Sequence, residues 1–428
     1  MSAIDLLVIG GGVAGAVAAA VARSAGATVV LTRKAWGATA LSSGAVDWIE
    51  PDPDAMSVSG DAAAAQEISL ERLLRERPDH PIAILCQGER TRARGEAEGA
   101  LEILASLLDG GPAALAGPLG LYASAAGDVR FADRVQAGMA AGELSRGAPG
   151  RIGVLALPEL EGWRPRAVVE ALLQARDRGL ARGVADAVEV PGSLPGAPPS
   201  IRMPDAARWI EDHGLPRIER PAGALRAILV PPVFGYRRIV ERLREGQELL
   251  GVPIAETLAA SPSVPGWRLQ TALDEALRDR GVEVLFAAAS FRGDGLGFRV
   301  GHRDIDPRAV ILATGKFLGG GLAREGRLRE TVFGLPVLTG GRTAESAGVM
   351  SLTEASWRAH QPLFDAGIGV DARLRPQGAR PGVFAAGGVL AGWSYPDRGC
   401  GLAVCAITGR LAADLAIVFL GARVESAR

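Results

Sequence analysis

Six residues constrain this chain more than any others: Gly10-Gly11-Gly12-Val13-Ala14-Gly15, a G-x-G-x-x-G run. It follows a β-type apolar run at residues 4–9 and opens an Ala-rich, helical segment at 13–24, after which residues 27–32 read as a second buried strand. Glycines at that spacing allow a tight turn and close approach of backbone. The helix N-terminus behind them presents N–H groups and a positive dipole end to a pyrophosphate. The pattern therefore predicts an α/β fold that begins with an N-terminal Rossmann βαβ unit.

The same stretch invites a different reading, as a signal peptide or a membrane span. Asp5 stands where a basic flank belongs, glycines interrupt the run, and 17 residues from 6 to 22 fall short of the roughly 20 that span a bilayer. The apolar run 411–420 is shorter still and contains Asp414. No transmembrane segment is expected, so membrane association would come only through partners.

Charge and cysteine content narrow the function classes. The 47 basic and 48 acidic residues nearly cancel, so no overall field draws in nucleic acid or an anionic membrane. Lys34 and Lys316 are the only lysines and Asn is absent, a bias that fits genome base composition and makes any lone Arg poor evidence for a phosphate site. The three cysteines, Cys86, Cys400 and Cys405, form no Cys-x-x-Cys pair and suit a reducing cytoplasm. They cannot supply the roughly four thiolates of an iron–sulfur cluster. Four scattered histidines carry no metal signature, and no metal is expected.

Along the chain, 52–66 reads as a Pro/Gly/Ala-rich surface loop, 82–86 as a strand and 91–108 as a helix. A strand at 152–157, a helix at 166–178, a strand at 184–190 and a loop at 191–199 suggest an inserted domain of mixed α/β character. Later come a helix at 269–280, a strand at 282–286, meander strands at 290–305, strands at 309–313 and 383–386, and a long helix from about Cys400. The expected division is a flavin-binding domain, first part, at 1–110, an inserted cap or substrate domain at 111–255, and the second part of the flavin-binding domain at 256–428, with a cap segment about 320–365.

Four further motifs decide the cofactor class. The acidic residue that usually ends the second strand and holds ribose hydroxyls is replaced by Thr32-Arg33. Thr32 can still accept a ribose hydrogen bond, and Arg33 can pair with a phosphate or stack on adenine. Ala40-Leu41-Ser42-Ser43-Gly44 offers small and hydroxyl residues beside a planar ring or phosphate. Ala313-Thr314-Gly315 ends a late strand, and Phe384-Ala385-Ala386-Gly387-Gly388 ends another before Arg398-Gly399-Cys400-Gly401 opens the last helix. A helix N-terminus aimed at a flavin would stabilise the reduced ring. In that order the motifs describe a two-dinucleotide-binding-type flavoprotein, holding FAD or, given the missing acid, FMN. The expected cofactor residues are Gly10, Gly12, Gly15, Thr32, Arg33, Ser42, Ser43, Gly44, Thr314, Gly315, Gly387, Gly388, Gly399, Cys400 and Gly401.

The chain resembles the B subunit of the bacterial anaerobic glycerol-3-phosphate dehydrogenase. The resemblance runs through Ala40-Leu41-Ser42-Ser43-Gly44, the decapeptide from Ser261 to Gln270, Ala313-Thr314-Gly315 with Gly319-Gly320-Gly321-Leu322, Leu374-Arg375-Pro376, and Gly399-Cys400-Gly401 with Val404-Cys405-Ala406. That family also carries Thr-Arg where Thr32-Arg33 stand. It departs in having Gly where Leu402 stands and a small residue at Lys316. The resemblance implies a flavin-bearing subunit of a three-part complex, with a second flavoprotein subunit and an iron–sulfur subunit, oxidising glycerol 3-phosphate to dihydroxyacetone phosphate and passing electrons to membrane quinone. It also implies a cytoplasmic chain, or one held at the inner face of the membrane through its partners.

Two alternatives stay open: a non-catalytic flavin-holding relay or scaffold, and another FAD-dependent oxidoreductase of different substrate. Oxidising an alcohol carbon needs a base and, for a phosphorylated polyol, a cationic anchor. Lys316, Arg324 and Arg398 are the candidates in motif-adjacent segments, and the sequence names no general base.

Overall fold

The computed structural model describes residues 4–219, 223–344, 348–356, 359–394 and 401–426. The chain forms two compact units, one of Met1–Thr39, Leu70–Leu107 and Leu273–Arg428, the other of Ala40–Ser69 and Leu108–Ala272.

The first unit is built on five parallel strands in the order Glu283–Phe286, Val29–Arg33, Leu6–Ile9, Ala309–Leu312, Val383–Ala385. The three central strands are buried throughout, which is why they read as unbroken apolar runs and not as alternating ones. The strand Leu6–Ile9 feeds the glycine turn and the helix Val13–Ser24. The last helix, Gly401–Ser426, packs along that helix. Their contact is close because both are rich in Ala and Gly: a Cβ on Gly409 would lie 2.3 Å from the Ala14 carbonyl oxygen. The stretch Gly401–Gly421 is long and apolar enough to cross a membrane, contrary to the expectation from 411–420 alone, and half of it is buried inside the fold. Ala403, Val404, Ala406, Ile407, Ala412, Ala413 and Ala416 are fully buried, as in a core helix. The meander at 290–305 is present as three antiparallel strands, Ala289–Phe291, Phe298–Val300 and Arg303–Ile305.

The second unit has its own five-stranded sheet, ordered Arg217–Ile218, Val184–Ser193, Gly150–Ala156, Ala227–Val230, Ile254–Glu256. It is parallel except for the Arg217–Ile218 edge. Helices Pro165–Asp177, Met203–His213 and Ile239–Leu250 bury an apolar stripe in its core.

Two elements differ from expectation. Residues 82–86 are not a strand but part of the helix Pro81–Cys86, started by Pro81 and by His80, whose Nδ1 accepts from the Ile82 N–H at 3.1 Å. A five-residue apolar run has no periodicity to separate the two forms. Residues 52–66 are not a loop. Asp52 caps Pro53–Ser59, Gly60 ends it in a left-handed conformation, and Asp61 accepts from Ala63 and Ala64 at the start of Ala62–Glu76. The proline that looked like a breaker sits in the first turn, where it is tolerated.

Candidate functional site

Three of the expected motifs, the glycine turn, Ala313-Thr314-Gly315 and Gly387-Gly388, meet in the first unit at the carboxyl ends of its strands. Gly10 has a φ of 119°, and a Cβ there would lie 2.0 Å from the Ala313 carbonyl oxygen, so the glycine turn and the Ala313-Thr314-Gly315 strand end touch through backbone. A Cβ on Gly15 would lie 1.9 Å from the Gly10 carbonyl oxygen, which seats the helix against the turn. Gly387 faces Ala14, and a Cβ on Gly388 would meet Gly315 Cα at 3.4 Å and the Lys316 nitrogen at 3.6 Å. A Cβ at Gly10 or Gly15 would strike backbone and one at Gly387 would strike the Ala14 side chain, whereas at Gly388 it would make ordinary contact.

Thr39 enters this cradle without having been singled out in the sequence. Its Oγ1 accepts from the Val13 N–H at 3.1 Å and would lie 2.9 Å from a Cβ on Gly12. It acts as a helix cap supplied from 26 residues away, a relation that no local spacing encodes.

The Thr32-Arg33 pair is held by partners from elsewhere in the first unit. Thr32 is fully buried and its hydroxyl donates to the Ala287 carbonyl at 2.6 Å. Arg33 lies across the turn, where a Cβ on Gly11 would meet its Cδ at 2.6 Å. Its Nη2 pairs with Asp274, and its guanidinium sits 4.5 Å from the centre of the Phe286 ring. Asp274 and Phe286 were invisible to a motif reading because their relation to Arg33 exists only in three dimensions.

Two residues in this cradle have polar atoms without hydrogen-bond partners among the described residues: Nε and Nη1 of the buried Arg33, and the buried Oγ1 of Thr314. Donors left over beside a glycine turn suit phosphate oxygens, and the residues present therefore fit the anionic nucleotide part of a flavin.

Lys316 follows Thr314-Gly315 directly. It is half-buried, and its Nζ donates to the Phe364 carbonyl and, at 2.9 Å, to the Trp393 carbonyl. Burial pushes its ammonium down to about 7, against the pull of the Asp365 carboxylate. Arg324 is an exposed residue of the strand Leu322–Glu325 and is not part of that cluster of carbonyls. Arg398, Gly399 and Cys400 lie outside the described residues, and Gly401 is the buried first described residue of the last helix. Cys405 is a thiol that burial pushes up to about 12, so it is a packing residue and not a nucleophile.

Ser42, Ser43 and Gly44 belong to the second unit. There Ser263 Oγ donates to the Ser42 carbonyl at 2.5 Å and accepts from the Gly266 N–H at 2.8 Å. A Cβ on Gly266 would lie 2.5 Å from the Ala40 carbonyl oxygen. Two segments that carried the family resemblance thus pack on each other. Arg268, in the second of them, is fully buried and makes a two-pronged pair with Glu256 at 2.6 and 2.8 Å. Among the described residues no group of three or more His, Cys, Asp or Glu is placed to hold a metal ion.

An FAD binding domain model matches residues 5–158. The anaerobic glycerol-3-phosphate dehydrogenase B subunit of Pectobacterium carotovorum subsp. carotovorum is 27% identical over 440 residues, covering 94% of this chain and 95% of that protein. The protein of the same name from Actinobacillus pleuropneumoniae serotype 5b is 23% identical over 434 residues, covering 96% of this chain and 98% of that protein. Among solved structures, glycine oxidase from Geobacillus kaustophilus is 14% identical, with 98% of this chain and 95% of that chain covered at a TM-score of 0.35. The chain is an FAD-binding flavoprotein oxidoreductase with a Rossmann-like core, and its resemblance to the glycerol-3-phosphate dehydrogenase B subunit extends over nearly its whole length.

Proposed function

We propose that this flavoprotein is the flavin-bearing subunit of a glycerol-3-phosphate dehydrogenase complex. In it, glycerol 3-phosphate is oxidised to dihydroxyacetone phosphate, and electrons leave through a second flavoprotein subunit and an iron–sulfur subunit to quinone. The observation that carries this reading is the resemblance to the dehydrogenase B subunit from end to end of both chains, across segments that pack together in the fold. The complex would place the chain in the cytoplasm or at the inner face of the membrane through its partners.

Gly10, Gly12 and Gly15 would admit the pyrophosphate, Arg33 would donate to a phosphate oxygen, and Thr314, Gly315, Gly387 and Gly388 would line the strand ends beside it. Ser42, Ser43, Gly44, Gly399, Cys400 and Gly401 complete the proposed set, and Thr32 contributes through its backbone. The bound flavin supplies a two-electron acceptor for the hydride of the alcohol carbon. Lys316 would, when protonated, place a cation at the end of the Thr314-Gly315 segment, its Nζ bonded to two carbonyls. Arg398 and Arg324 would assist in binding substrate charge.

The test begins with the purified chain. It should be yellow, and Gly12→Val, which drives a branched side chain into Thr39, should fold without flavin. Glycerol 3-phosphate added anaerobically should then bleach the flavin of the wild-type complex. Bleaching that requires only the sister flavoprotein would make this chain a relay, and a colourless wild-type chain would end the proposal.

A further inference from the structure

We propose that Lys316, Trp393 and Ser394 form an oxyanion subsite beside the flavin cradle, which takes the phosphate of a small phosphate monoester. The inference rests on the function proposed above and assigns that function a substrate-phosphate anchor.

The first observation is a pair of unmade hydrogen bonds. Trp393 and Ser394 are each only 3% exposed, and neither the Trp393 Nε1 nor the Ser394 Oγ has a hydrogen-bond partner among the described residues. An indole N–H can only donate, and buried donors left alone are rare. Two of them on consecutive residues, in a chain that satisfies a buried network as fully as that of Arg268, point to a partner that is not part of the protein.

The second observation is the cation beside them. Lys316 Nζ lies 2.9 Å from the Trp393 carbonyl oxygen and 6.0 Å from the centre of its ring. An ammonium has three donors, and the Phe364 and Trp393 carbonyls engage two of them. The nearby Asp365 carboxylate is engaged through Oδ2, which lies 3.2 Å from Arg77 Nη2 and 3.1 Å from His360 Nε2, while its buried Oδ1 has no hydrogen-bond partner among the described residues. An arriving anion would favour the protonated form of Lys316, whose third N–H is not engaged by the two carbonyls.

The third observation is rigidity. Arg77 Nη2 also donates to the Gly392 carbonyl at 2.8 Å, and the Gly392 N–H donates to the Asp365 carbonyl at 3.0 Å. Gly392 has a φ of 84°, and a Cβ there would lie 2.2 Å from the Asp79 carbonyl oxygen. Arg77 and Lys316 thus staple 364–365 to 392–393 at two adjacent points. The segment that presents the two free donors is held in place before any ligand arrives, as precise recognition requires.

Three donors of different geometry, one of them cationic, suit an anion with several acceptor oxygens. A phosphate monoester meets that need, and a neutral polyol does not.

The experiment titrates the flavin-loaded protein calorimetrically with glycerol 3-phosphate, inorganic phosphate and glycerol. Glycerol 3-phosphate should bind, inorganic phosphate should compete with it, and glycerol should not compete. Trp393→Phe, which keeps the ring and removes the N–H, should weaken glycerol 3-phosphate by roughly tenfold or more, the effect of one hydrogen bond to a charged group. Ser394→Ala should act in the same direction, and Lys316→Met should weaken binding most, with flavin absorbance retained in all three. Unchanged affinity in both Trp393→Phe and Ser394→Ala overturns the subsite, and so does a flavin-replete wild type that binds neither phosphate compound. A wild type without flavin would instead defeat the functional reading itself. If Trp393→Phe fails to fold, Ser394→Ala alone decides.

Discussion

At the scale of single residues, the second unit carries a buried carboxylate whose titration is a stability device. Asp47 is 4% exposed, and burial raises its pKa to about 7 despite Arg130, whose Nη2 lies 2.9 Å from Asp47 Oδ2. Below about pH 4 the carboxyl is protonated in folded and unfolded chains alike. As pH rises the unfolded chain ionises first, so Asp47 opposes folding increasingly until pH passes about 7. At about 1.4 kcal/mol per pKa unit the loss reaches a few kcal/mol. Asp133, raised by burial to about 6 and held by Gln66 and the Trp48 N–H, adds in the same direction. Denaturant unfolding of the wild type should show stability falling between about pH 4 and 7. Asp47→Asn should flatten that slope. Parallel slopes in the two proteins would show that Asp47 ionises in the fold as freely as in the unfolded chain.

At the scale of elements, the pairing of Val13–Ser24 with Gly401–Ser426 holds the glycine turn in place. The two helices approach closely because Gly409 has no Cβ to strike the Ala14 carbonyl. Gly409→Val would put a branched side chain into that contact, and overpacking of this kind costs about 1–3 kcal/mol. Because Ala14 lies in the first turn of the helix behind the glycine run proposed to hold the flavin, the loss should appear twice, as a lower unfolding midpoint and as a weaker hold on flavin. A midpoint that falls while flavin affinity stays constant would uncouple the helix pair from the site. Glycine was legible at the turn because its signal is local. It was not legible at Gly409, since the partner atom lies almost four hundred residues away in the chain.

For the whole molecule, the proposed function makes the chain one part of a larger electron path. No iron–sulfur ligand set is present among its three cysteines, and relatives of like length are named as a subunit. Co-expression with a second flavoprotein subunit and an iron–sulfur subunit should yield a complex that elutes as one species and reduces quinone with glycerol 3-phosphate. The isolated chain should reduce quinone poorly. Brisk quinone reduction by the isolated chain would remove the need for partners. The last helix sharpens the same question, because Gly401–Gly421 has the length and apolarity of a span while half of it is buried against the protein.

The sequence by itself determined the strand, glycine turn and helix at the start, the late Thr314-Gly315 and Gly387-Gly388 strand ends, and with them the cofactor class. Those features rest on local physics: only glycine tolerates the φ of 119° at Gly10, and buried parallel strands must be continuously apolar. The tertiary structure alone decided the rest. The helix at Pro81–Cys86 is the exception, since His80 and Pro81 start it by a local signal that lies just outside the apolar run. The fold buried the Thr32 hydroxyl against Ala287 and gave Arg33 the carboxylate of Asp274, 241 residues on. It set Lys316 between the carbonyls of Phe364 and Trp393, and so fixed the position of one of the two lysines in the chain. Ion pairing and desolvation depend on what the fold brings alongside a group, and that neighbourhood is not written in the residues beside it.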